Sequence, residues 1–95
     1  MSKREAYEDK LRAQLDEWKA EIDKLEAKAK KATADLKIKY DKQIQELKDD
    51  RNSLKYKLTI IHEIGEDEWE EFKEDVDKIQ SVLKKELEQL REKFN

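Results

Sequence analysis

An all-α fold is predicted by three features of this sequence. Charged residues make up 49% of the chain, with Gly 1, Pro 0 and Cys 0, so the turn residues that strands require roughly every 8–12 positions are missing. Large apolar side chains recur at steps of three or four, the spacing of one helix face. No apolar run approaches the ~18 residues that span a bilayer, so neither a transmembrane segment nor a secretory signal is expected. Without cysteine there are no disulfides, thiolate metal sites or thiol chemistry.

The first stripe runs through Tyr7, Leu11, Leu15, Trp18, Ile22, Leu25, Ala29, Ala32, Leu36, Tyr40, Ile44, Leu47, Arg51, Leu54, Leu58 and Ile61. Its mean step is about 3.6 residues, the period of a straight α-helix. The spacing predicts one very long helix over about 3–62, some 90 Å at 1.5 Å per residue. The weakest point along it is Asp49–Ser53, around Arg51, the one charged member of the stripe. The stripe ends near Gly65, which suits a left-handed C-terminal cap within a turn over 63–66. Asp67 follows as an N-cap with Glu70 three residues on, an arrangement like a capping box. A second helix over about 67–94 carries Trp69, Phe72, Val76, Ile79, Leu83, Leu87, Leu90 and Phe94.

Charge divides the chain in the same place. Residues 63–95 hold twelve acids and six bases, whereas the first two thirds are slightly basic within a net charge of −3. Nine of those acids precede residue 78, where a helix N-terminus favours them.

A turn at Gly65 folds the second helix antiparallel onto the first. The apolar positions then pair at residue numbers totalling 130, from Trp69 with Ile61 to Phe94 with Leu36. Leu36, Tyr40, Ile44, Leu47, Leu54, Leu58 and Ile61 would form a hairpin core with the eight residues of the second stripe. Residues 3–31 remain as an arm whose Tyr7, Leu11, Leu15, Trp18, Ile22, Leu25, Ala29 and Ala32 need cover. They match the groove of a hairpin at numbers totalling 65, in one of two ways. The arm crosses to a second chain, giving an antiparallel homodimer with three-helix cross-sections, or it folds back into a closed three-helix bundle. Lys30–Ala34 holds no Gly, Pro or Asn, so the unbroken helix, a two-fold axis near the alanines around residue 32, and the dimer are expected.

Residues capable of chemistry are few. His62 has no second histidine and no metal-ligand spacing around it, and is read as favouring the negative end of a helix. The acids Glu66, Asp67, Glu70, Glu71, Glu74 and Asp75 form a solvated face with no calcium-loop pattern. Whether that face binds cations is left open. Lys28, Lys30, Lys31, Lys37, Lys39 and Lys42 make a basic stretch, but interleaved acids make nucleic acid an improbable partner. Ala6, Ala13, Ala20, Ala27 and Ala34 recur every seven residues, either as plain helix formers or as a shallow second seam. Arg51 is expected beside Ile79, reaching out to Asp75 or water. No catalytic, cofactor-binding or metal residues are assigned, and neither cofactor nor enzymatic activity is expected.

The strings AQLDEWKAEIDKLEAKA (13–29) and GEDEWEEFKEDVD (65–77) resemble a family of short bacterial coiled-coil proteins labelled as stress-response proteins. That resemblance implies a cytoplasmic setting and a link to stress, and brings no catalytic residues. Taken together, a helical scaffold acting through self-association is expected, with an unidentified protein partner possible. The alternative is a holdase-like or surface-binding helix that exposes the Leu11–Leu25 stripe.

Overall fold

The computed structural model describes residues 3–94, and every regular element in that range is helical. Helix α1 spans Lys3–Ala29, α2 spans Ala34–Thr59, a short 3-10 turn covers Ile61–Glu63, and α3 spans Glu66–Lys93. Together they make a three-helix bundle of 50 × 20 × 19 Å. Helix α2 is antiparallel to α1. Helix α3 is parallel to α1, as Tyr7 bonded to Asp77 and Glu21 paired with Arg91 both show.

The continuous helix expected over 3–62 does not form. It breaks after Ala29, and the expected protruding arm 3–31 packs on its own chain instead. The reason is visible in the backbone. Lys31 N–H donates to Lys28 O and Ala32 N–H to Ala29 O, both at 3.1 Å, so the helix end tightens and satisfies its last carbonyls without a glycine. Thr33 is extended (φ −64°, ψ 160°), and its carbonyl accepts the Lys37 N–H at 2.8 Å. Few bonds are lost, and the whole apolar face of α1 is buried in return.

The connection at Gly65 also differs from expectation. Gly65 has φ −69° and ψ 158° and is the N-cap of α3; the helix starts at Glu66, one residue before the expected Asp67 cap. Among the described residues no backbone has positive φ, so glycine is not required there. A Cβ at position 65 meets nothing within 4 Å. The steep penalty that a left-handed cap would place on a β-branched residue at position 65 therefore does not apply. Gly65→Ser, which adds a side-chain acceptor for the first turn of α3, should instead stabilise the protein by a few tenths of a kcal/mol. Thermal unfolding of the variant measures this, and a lowered midpoint would contradict it.

The core is continuous along the bundle. Leu11, Leu15, Trp18, Ile22, Leu25 and Ala29 of α1 pack with Tyr40, Ile44, Leu47 and Leu54 of α2, with Ile61, and with Phe72, Val76, Leu83, Leu87 and Leu90 of α3. Tyr7, Ala32, Leu58, Trp69, Ile79 and Phe94 are partly buried around it. Leu36 departs from the expected hairpin core. It is 45% exposed, in the first turn of α2. Phe94 meets Tyr40 instead, with ring centroids 4.7 Å apart.

Candidate functional site

Three features of the surface carry polar chemistry. The first closes the end of the bundle where α1 begins and α3 begins. Arg4 lies three residues before Tyr7, one step beyond the stripe that the sequence reading followed, and so points at the core edge. Its guanidinium donates to Ile64 O at 2.6 Å and to Ile61 O at 3.4 Å, and pairs with Glu66 at 3.3 Å. It also sits 4.7 Å from the centroid of the Trp69 ring. Trp69 meets Tyr7 edge-on at 5.4 Å and stacks on Phe72 at 6.0 Å. Arg4 thus satisfies the carbonyls at the end of the α2–α3 connection while covering an aromatic cluster.

Tyr7 belongs to the same end. Its hydroxyl donates to Asp77 Oδ1 at 2.7 Å. Burial, followed by the hydrogen bond to Asp77, pushes the phenol well above its ordinary range. His62 Nε2 lies 2.9 Å from Glu8 Oε2 and is 64% exposed at its side chain. The histidine is held against α1 by that carboxylate, and it lines an open pocket of about 460 Å³ with Lys3, Arg4, Glu66, Trp69 and Glu70. Among the described residues no group of three or more His, Cys, Asp or Glu side chains is placed to hold a metal ion. Arg4→Ala should cost about 1 kcal/mol, since it leaves two part-buried carbonyls without this donor. Arg4→Lys should recover part of that loss, and urea unfolding of the two variants separates charge from the forked geometry.

The second feature is a carboxylate cluster between α2 and α3. Gln43, Glu46, Glu86 and Gln89 line a cavity of about 210 Å³ above Leu47 and Leu90. Gln43 Oε1 and Glu86 Oε2 are buried without a hydrogen-bond partner. Burial, and then the nearby Asp50 and Glu46 carboxylates, push the Glu86 carboxyl up to about 7. Sequence spacing carried a signal for this site that was passed over: position 86 flanks the Leu83–Leu87–Leu90 seam, where a helix partner must desolvate it.

The third is the groove between α1 and α2. Arg12, Asp16 and Lys19 from α1 face Arg51 and Lys55 from α2 across Leu15 and Leu58, enclosing about 380 Å³. Arg51 thus lines the groove with α1, and it bonds Asn52 Oδ1 at 3.3 Å with no bond to Asp75 among the described residues. Further along, Lys48 is ion-paired with Glu26, whose carboxyl is held below its ordinary value by that bond. The break at residues 30–33 divides the basic stretch 28–42, bringing Lys30 and Lys37 to face one another across this same groove.

The residues expected to bind a second chain are thus engaged within this one: Leu11, Leu15, Trp18, Ile22, Leu25 and Ala29 are buried, and Tyr7 and Ala32 partly so. Ala6, Ala13, Ala20, Ala27 and Ala34 all face solvent. The acids from Glu66 to Asp75 are likewise exposed, as expected. Among the described residues no helix is long and apolar enough to cross a membrane. Comparison with protein-family models, curated proteins and solved structures finds no match.

Proposed function

We propose that this chain is a non-enzymatic helical scaffold that acts by self-association, exchanging α1 with a second copy to form an antiparallel dimer. The observation that carries this reading is the connection over 30–33: four residues, without Gly or Pro, between two helices whose stripes are in phase. Straightening that connection joins α1 and α2 into one helix and presents the same α1 face to the same groove in another molecule. The closed and exchanged forms then share one core, so the balance rests on the turn and on concentration. Exchange restores the helical hydrogen bonds across 30–33 and costs the entropy of association, about 4–15 kcal/mol. The polar composition of the surface supports a binding role more than a catalytic one, and a link to stress rests on the resemblance of residues 13–29 and 65–77.

Scattering combined with sedimentation tests the idea. The exchanged dimer should double the 11.5 kDa mass and form a rod approaching 90 Å, from about 60 helical residues at 1.5 Å each. A particle of 11.5 kDa and 50 Å at every concentration would defeat the reading. Inserting Gly-Asn-Gly after Lys31 should move the population towards the closed monomer, because it gives the turn residues that favour it.

A further inference from the structure

We propose that the cationic groove between α1 and α2 docks the acidic outer face of α3 from a second copy, so that molecules associate head to tail. The contact is separate from helix exchange and is open to the closed bundle. Its first support is the local charge balance. Lys19 and Lys55 have no ion-pair partner among the described residues, and Arg51 is bonded to the neutral Asn52. Arg12 is held by Glu8 and Asp9 outside the groove, leaving Asp16 as the one carboxylate in its lining. A chain of net charge −3 thus concentrates uncompensated positive charge over an apolar floor of Leu15 and Leu58.

The second support is the complementary surface. Asp67, Glu70, Glu71 and Glu74 are exposed and lack ion-pair partners among the described residues. They occupy the helix face opposite buried Phe72 and Val76. From Asp67 to Glu74 the face is about 10 Å long, and from Arg12 to Lys19 the groove is also about 10 Å long. The acids and the bases are therefore opposite in sign and similar in reach.

The third support is direction. The acidic face lies on the outside of α3, and the groove lies on the side of the bundle formed by the other two helices. A single molecule cannot bring the two together. The contact is heterologous, with each copy offering its groove to one neighbour and its acidic face to another, so it builds rings or open chains according to whether the rotation closes. Complementary charge at such a distance is screened by salt, with a Debye length of about 10 Å at 0.1 M.

Charge reversal tests this directly. Light scattering or sedimentation velocity should show wild-type association that weakens at least tenfold between about 20 mM and about 300 mM salt. Lys19→Glu with Lys55→Glu makes the groove acidic, and Glu70→Lys with Glu74→Lys makes the face basic. All four sites are exposed, and far-UV circular dichroism verifies that both variants keep their helices. Each double variant alone should lose association at least tenfold, and an equimolar mixture of the two should regain it. Association indifferent to both reversals, or a mixture that fails to regain it, overturns the proposal. So does a wild-type protein that stays apart in low salt yet binds a single-stranded oligonucleotide through Lys19 and Lys55, which would assign the groove to nucleic acid. Helix exchange is read separately, by the mass and length of the particle at high salt, so either idea can fail without the other.

Discussion

Replacing Ile22 with Ala should destabilise the protein by about 2–5 kcal/mol, the range for deleting a large aliphatic side chain from a packed interior. Ile22 is 0% exposed, midway along α1, and belongs to the core that also holds Leu47 of α2 and Leu83 and Leu87 of α3. Two effects add: the lost transfer of the side chain, and a void that rigid helices close only in part. A small domain is stable by about 5–15 kcal/mol in all, so the variant should be partly unfolded near body temperature. Urea unfolding followed by Trp18 and Trp69 fluorescence measures it. A loss under about 1 kcal/mol would mean that α1 is not packed on α2 and α3 as found.

Glu86→Gln should do the opposite, and only above neutral pH. The folded carboxyl is raised to about 7, against an ordinary 4.5, first by burial and then by Asp50 and Glu46. The native state therefore binds the Glu86 proton more tightly than the unfolded chain does. The contribution is fully present below about 4.5 and is lost as pH rises through about 7. At pH 8 the charged carboxylate sits in the cavity beside Asp50 and Glu46 and opposes folding. After discounting for its partial exposure, this amounts to about 1–2 kcal/mol. Glutamine keeps the shape, removes the charge and offers a donor to Asp50. The variant should gain that amount at about pH 8 and almost nothing at about pH 4. Equal stability of variant and wild type at both pH values would show that neither burial nor the Asp50 and Glu46 carboxylates raise the Glu86 carboxyl.

The two predictions rest on different parts of the molecule, and the sequence reveals them unequally. Ile22 is legible because burial of one helix face follows from spacing alone: every residue of the 3.6 stripe from Leu11 to Ala29 was marked, and those at Leu11, Leu15, Trp18, Ile22, Leu25 and Ala29 are buried. Helix type and the second stripe from Phe72 to Leu90 were legible for the same reason. Glu86 is legible only as a position flanking the Leu83–Leu87–Leu90 seam; its proton affinity is set first by burial and then by Asp50 and Glu46, which lie on another helix. Arg4 was missed because its partners, the carbonyls of Ile61 and Ile64, lie about 60 positions away.

Periodicity and composition by themselves determined that this protein is helical, where its apolar faces run, and that a connection falls near Gly65. They did not determine whether the chain continues or turns back at 30–33. A local reading counts missing turn residues there, and that count favoured one long helix. Tertiary structure decides otherwise, because two 3-10 type bonds at 3.1 Å hold the turn cheaply, while the fold-back removes the face from Leu11 to Ala29 from water. The same fold-back gathers Arg12, Lys19, Arg51 and Lys55 into one groove, a charge constellation that no stretch of sequence contains, since electrostatic contact depends on distance in space and not along the chain.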